Sequence, residues 1–465
     1  MTTTEAPAGT PRALVVGLVL AVTMVGFEAL AVVTVLPSVR ADLGGLSLYG
    51  WVSSAFMLAN LIGIAIAGAA ADRRGPAPVL AVGLGLFAVG LVIAGVAPTM
   101  LVVVLARVAQ GLGAGAITSA AYIGIARGVT DAARPRMLAI LSSAWVIPGL
   151  VGPAIAGAVA EHLTWRLVFL GLVPLTLLPA LTAVPALATL GGRAPDAAAG
   201  DPAREVVADG KARSTVMSAT RLAGGVALGL VGLGLRSWWM AGALVVVGAV
   251  VGVSGLRRLV PAGTFTARPG PPGAVAFRFG QNLAFFTADL FLPLLVTSVK
   301  HGSPTQAGLS VTAGTVSWTA GSWIQARLAP RVGRRRLLLT SMGLIAIGVA
   351  LTATGLSSRV PIVAVAAAWV IAGLGMGIGF GTATLVVLEG AGPDEAGRAS
   401  AAVQLAETLS IALGTGLTGA WIALGERRGW SPSTGVAAAF VVAALGGVLA
   451  TAAALRAPTS PRGAT

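Results

Sequence analysis

Apolar stretches of about 20 residues recur from one end of this chain to the other, each long enough to cross a bilayer. Lipid satisfies no backbone N–H or C=O group, so runs of this kind can only be helices. They fall near residues 13–37, 50–71, 79–98, 100–126, 137–160, 167–190, 220–235, 238–256, 274–299, 306–328, 337–356, 360–388, 396–424 and 434–455. A polar loop is expected from Gly191 to Met217, and a Pro/Gly-rich one from Pro261 to Gly273. Only 10% of the 465 residues are charged, whereas a soluble domain carries about 25%. The expectation is an all-α polytopic membrane protein with about 14 transmembrane helices. The first apolar run exceeds a signal-peptide core and reads as a retained span.

Charge placement orients the chain and excludes several functions. Most of the 31 Arg and Lys residues lie in loops that put both termini in the cytoplasm. The opposite loops hold few, among them Arg40, Arg166, Lys300 and Arg359. The net charge of +15 is scattered through short loops and forms no face with interleaved aromatics, so nucleic acid is not a partner; anionic membrane lipid is. There is no Cys, which removes disulfides, thiolate metal sites and thiol redox chemistry. His162 and His301 both fall in outer loops. No metal-ligand spacing, Ser/His pair or phosphate-binding Gly-Lys loop is present, so neither an enzyme, a metal or cofactor site, nor an ATP-driven pump is expected.

The chain also repeats itself. Charged turns occur at Gly68–Gly75 and at Arg331–Arg336, each between apolar runs. Gly75 matches Gly333, Gly111-Leu-Gly-Ala-Gly115 matches Gly373-Leu-Gly-Met-Gly377, Gly152 and Gly157 match Gly414 and Gly419, and Glu28 matches Asp289. All share a spacing of about 260 residues, which reads as a duplicated membrane protein. Six spans occupy 1–190, a linker with an inserted hairpin at 220–256 occupies 191–273, and six more spans occupy 274–465.

Several segments resemble signatures of the major facilitator superfamily. Gly68-Ala-Ala-Ala-Asp72-Arg73-Arg74-Gly75 resembles the loop signature between its second and third helices, and Arg107-Val-Ala-Gln110-Gly111 that of its fourth helix. Pro148-Gly149-Leu-Val-Gly152-Pro153-Ala-Ile-Ala-Gly157 is similar to the fifth-helix signature of exporting antiporters. With the segment from Trp165 to Phe169 and the inserted hairpin, the chain resembles the fourteen-helix drug–proton antiporter branch. The resemblance implies two six-helix bundles plus an inserted two-helix hairpin. It also implies a cytoplasmic gate at Gly68, Asp72, Arg73 and Gly75, and an export bias carried by Pro148, Gly149, Gly152, Pro153 and Gly157. The chain departs from the branch in having Glu28 where Asp is frequent, and Pro330 where the first turn has Asp72.

Glu28 lies 12 positions before Arg40, or about 18 Å along a helix, and Asp289 lies at comparable depth before Lys300. Buried carboxylates are costly in lipid, which suits groups that take up and release a proton; satisfaction by neighbouring polar groups is the bland alternative. Two readings stand for Glu407, a substrate or proton site, or the partner of a buried Arg. Arg107 needs an acidic or carbonyl partner, and Glu28 is the candidate; by resemblance it assists proton transfer. Arg278 can snorkel to the cytoplasmic interface, and Glu389 is expected to be solvated there. Trp145, Trp318, Trp323 and Trp369 lie deep enough to line a pocket, although helix or lipid packing explains them better.

The expected function is a proton-coupled exporter of amphipathic small molecules, cationic or neutral, such as drugs or antibiotics. It would work by alternating access in the cell membrane as a monomer, with the proton gradient and no cofactor as its energy source. A dedicated exporter or importer of one metabolite on the same fold is the rival.

Overall fold

The computed structural model describes residues 12–129, 137, 140–141, 144–189, 202–390 and 396–457. They form helices α1 (Arg12–Leu43), α2 (Tyr49–Arg74), α3 (Pro76–Gly95), α4 (Met100–Gly128), α5 (Val146–His162), α6 (Arg166–Leu170), α7 (Leu177–Ala188), α8 (Pro202–Leu233) and α9 (Trp238–Leu259). After these come α10 (Pro271–Leu294), α11 (Pro304–Leu328), α12 (Arg334–Ala353), α13 (Ile362–Gly390), α14 (Ala396–Arg427) and α15 (Pro432–Leu455). Among the described residues there are no strands.

Twelve helices among the described residues are long and apolar enough to cross a membrane. That is two fewer than expected. The other two expected spans are α5, described over 17 residues, and α11, whose Ser, Thr and Gln content lowers its hydropathy. Helix boundaries follow local chemistry. Pro76, Pro271, Pro304 and Pro432 each open a helix, where the missing N–H costs nothing. The expected span 167–190 is broken into α6 and α7 by the turn at Gly171 and Pro174.

One loop expectation is overturned. The stretch from Gly191 to Met217 is helical from Pro202 onward, and α8 runs unbroken into the membrane-length segment Ala212–Leu233. Its Ala, Arg, Glu and Lys are strong helix formers, so polarity there does not mark a loop. Residues 190–201 lie outside the described set, as do Arg134 and Arg136.

Packing repeats along the chain as the glycine spacing suggests. Helix α1 packs on α5 and α7, while α2 and α3 both pack on α4. In the same pattern α10 packs on α14 and α15, while α11 and α12 both pack on α13. The two sets meet through α5 on α11 and α14 on α2. Helices α8 and α9 lie against each other through Gly225, Gly248 and Gly255, where a Cβ would overlap the facing backbone. From there Leu222 and Ala223 of α8 pack with Leu58 and Leu61 of α2 and Leu405 and Leu409 of α14.

Candidate functional site

Glu28 and Arg107 form a buried ion pair between α1 and α4, with side chains 0% and 3% exposed. Arg107 Nη1 donates to Glu28 Oε1 and also to Gln110 Oε1 at 2.6 Å. Its Nε donates to the Val52 carbonyl at 3.2 Å, and its guanidinium lies 4.1 Å over the Phe56 ring. The cation thus has acceptors from three helices and an aromatic face, while Glu28 Oε2 is buried without a hydrogen bond. Gln110, one helical turn past Arg107, was missed from sequence as a site residue. An i, i+3 polar pair on an apolar helix is the signal that could have found it.

Asp289 occupies the matching place on α10, 6% exposed. Its partner is Trp369 of α13, whose indole Nε1 donates to Oδ1 at 3.1 Å. Trp369 is the repeat counterpart of Arg107, so an acid meets its helix-4-type partner in both halves of the pattern. In the second, an uncharged N–H replaces the guanidinium. Trp369 stacks on Phe285 at 4.9 Å between centroids, and Phe285 touches Trp318, which continues to Phe380. Gln281 Oε1 and both amide atoms of Asn282 are buried nearby on α10 without hydrogen bonds.

Glu407 on α14 is half-buried and has no ion-pair partner among the described residues. It lies within electrostatic reach of Arg278 and of Tyr122 on α4. Arg278 does not snorkel outward as expected. It is 1% exposed, its guanidinium lies 3.4 Å over the Phe380 ring, and it donates to the Phe380 carbonyl at 2.9 Å and to Thr384 Oγ1 at 2.5 Å. Cation–π contact and two acceptors at Nη2 hold the guanidinium inside, while its Nε and Nη1 are buried without hydrogen bonds. Trp323 is 68% exposed and faces away from the cluster, and Trp145 is 46% exposed.

The first charged turn closes at Gly75, which adopts φ 83, a region open to glycine. Asp72 Oδ1 accepts from Arg127 Nη2 at 3.4 Å, linking α2 to the end of α4. Arg73 and Arg74 are in the last turn of α2, and Gly68 packs near Ser119. The second turn carries the corresponding pair with its signs exchanged: Arg334 pairs with Glu389 at the end of α13. Glu389 is therefore exposed but partnered. The acid absent at Pro330 is supplied from the neighbouring helix.

On α5, Pro148, Gly149, Gly152, Pro153 and Gly157 are buried. A Cβ at Gly149 would overlap Thr315, and one at Gly157 the Pro304 carbonyl. From the other side, a Cβ at Gly308 of α11 would overlap the Pro153 carbonyl. The repeat glycine Gly419 meets Gly50 of α2 in the same way. These residues bring backbones into contact across the junction of the two helix sets.

Comparison with known proteins bears on the family and the fold. The sequence matches the Major Facilitator Superfamily over residues 17–415 and 277–465. It is 26% identical over 431 residues to a "Probable multidrug-efflux transporter" of Mycobacterium tuberculosis strain H37Rv, covering 90% of this chain and 89% of that one. It is 28% identical over 175 residues to "Multidrug resistance protein 3" of Bacillus subtilis, covering 38% and 34%. Its fold is similar to that of a peptide transporter POT in complex with sulfate, with TM-score 0.68, 15% identity and coverage of 96% and 94%. A D-xylose–proton symporter gives TM-score 0.63, 15% identity and coverage of 97% and 99%. The chain belongs to the major facilitator superfamily, a family of multi-pass membrane transporters and not of enzymes.

Proposed function

We propose that this transporter exports amphipathic small molecules, cationic or neutral and drug-like, in exchange for protons. The observation that carries the reading is the unequal compensation of its two matched acids. Glu28 is balanced by Arg107, whereas among the described residues Asp289 meets only an indole N–H. A buried carboxylate without a cation is costly unless a proton or a cationic ligand neutralises it. Asp289 is thus the place where proton and cargo compete. Glu28 and Arg107 relay or hold the proton. Glu407, within electrostatic reach of Tyr122 on α4 and Arg278 on α10, draws cationic cargo toward the site. The efflux names of the mycobacterial relatives agree with export.

In this reading α5 and α11 also cross the membrane, for fourteen spans, with α8 and α9 inserted between two six-helix bundles. Both termini lie in the cytoplasm, the protein works as a monomer in the cell membrane, and no cofactor or nucleic acid is needed. The turn at Gly68–Gly75 gates the cytoplasmic face, and the α5 glycines and prolines bias the cycle toward export. The test is purified protein in liposomes under an imposed pH gradient, with cationic, neutral and anionic candidates. Proton-driven movement of the cationic ones is expected. Unchanged pH-driven transport in both Glu28→Gln and Asp289→Asn would sink the coupling assignment.

A further inference from the structure

Two acids outside the central site bridge the helix sets at one end of the molecule. Glu161, in the last turn of α5, accepts the backbone N–H of Thr305 through Oε2 at 3.0 Å. Thr305 is in the first turn of α11, whose start is further ordered by the Ser303–Gln306 capping box. Glu426, in the last turn of α14, accepts the backbone N–H of Ser47 through Oε2 at 3.1 Å. Ser47 is in the short 3-10 turn Leu46–Leu48 that leads into α2. Helices α5 and α14 are repeat counterparts, as are α11 and α2. The contacts are therefore the same clasp made twice, once in each direction across the junction. A carboxylate on unpaired amides at a helix start is favourable in both charge and hydrogen bonding.

The packing behind each clasp is closed. Gly308 lies on Pro153 behind the first, and Gly50 on Gly419 behind the second. Ser54 Oγ and Thr415 Oγ1 are 2.8 Å apart, and Ser54 donates to the Ala412 carbonyl at 2.9 Å. Tyr49 and Phe291 touch across the same junction at 5.5 Å between centroids. At the other end, the pairs Asp72–Arg127 and Arg334–Glu389 each join elements of one helix set. Neither ties the sets together.

We propose that Glu161 and Glu426 are paired gating residues, two symmetry-related clasps that hold this end shut and are released together when the transporter opens there. Which membrane face this is rests on the orientation proposed above, but the clasping itself does not. It also does not depend on the proton coupling or the cargo.

The chain has no Cys, so thiol pairs can be introduced without removing any. Leu163→Cys with Arg359→Cys spans the clasped end, and Arg74→Cys with Arg331→Cys spans the other. Spin-label distances are then read in detergent and in nanodiscs, without gradient or cargo. Removing one cap, as in Glu161→Ala, is expected to raise the open-to-closed ratio at the clasped end roughly fivefold. The two clasps join different helix pairs and share no partner, so Glu161→Ala/Glu426→Ala should raise it roughly twenty-five-fold. The opposite end should shorten in step. Glu161→Gln, whose amide oxygen still accepts, should fall between wild type and Ala. Unchanged distances at the clasped end in the double variant would overturn the proposal. So would widening at both ends together, which marks loosening instead of gating. Labelling of Leu163→Cys in intact cells with an impermeant maleimide separately reports the face. Failure there corrects the orientation and leaves the clasps standing.

Discussion

Removing Arg107 should damage the protein more than removing both members of its ion pair. In Arg107→Met, Glu28 stays buried at 0% exposure with no cation, and Gln110 and the Val52 carbonyl lose their donor. Breaking a buried pair from one side costs about 3–5 kcal/mol. In Glu28→Gln the amide oxygen still accepts from Arg107, and the guanidinium keeps Val52, Gln110 and the Phe56 ring. That change costs about 1.5–3 kcal/mol, the worth of a charge-assisted hydrogen bond. The double variant buries neither charge, and its cost should be about 2 kcal/mol or less. The coupling in the cycle is then about 2.5 kcal/mol or more. Alternative partners in the membrane-unfolded chain pull the measured value toward the lower end of these ranges. Unfolding in mixed detergent–SDS micelles, with all four proteins compared, measures it. If the double variant loses the sum of the single losses to within about 0.5 kcal/mol, the two side chains are independent and the site has been misread.

Three further outcomes follow from particular contacts. Trp369→Phe keeps the ring stacked on Phe285 but removes the N–H to Asp289; it should cost about 1.5–3 kcal/mol and change pH-driven transport in liposomes, while Trp323→Ala, at a 68% exposed position, should leave transport unchanged. Gly308→Ala places a methyl group on the Pro153 carbonyl, so spin-label distances across the α5–α11 junction should lengthen and uptake should fall. Hydrogen bonding from Thr305, then Ser303, with a smaller contribution from His162, holds the Glu161 carboxyl, just past the expected span, down to about 2. A carboxyl lowered on folding stabilises the clasped state at every pH above its usual value of about 4.3 and loses that contribution only as pH falls toward the folded value. Acidification from about pH 7.5 to about pH 5.5 should therefore leave the Glu161 clasp intact, and wild type and Glu161→Gln should show the same pH dependence of distance over that window.

Much of the site was legible from residue type and depth. Glu28 and Asp289 stand out because a carboxylate in an apolar run is too costly to be incidental, and the Glu28–Arg107 partnership follows from the need to balance an intramembrane cation. Arg278 was misjudged because position along a helix says how near the interface lies, but not whether Phe380 and Thr384 stand ready to take its place. Glu161 and Glu426 escaped notice because acids at helix ends are common. What makes them informative is a backbone N–H more than a hundred residues away.

The amino-acid sequence by itself determined that this chain is a duplicated bundle of membrane helices. Run length against bilayer thickness and the demand for internal backbone hydrogen bonds leave no other fold, and both are local properties. Tertiary structure alone decided which groups meet. It set Trp369 against Asp289 where the repeat has Arg107 against Glu28, it exchanged the signs of the ion pairs at the two charged turns, and it tied α5 to α11 and α14 to α2 by matching clasps. Those choices depend on helix rotation and close approach at small residues, which hydropathy does not encode.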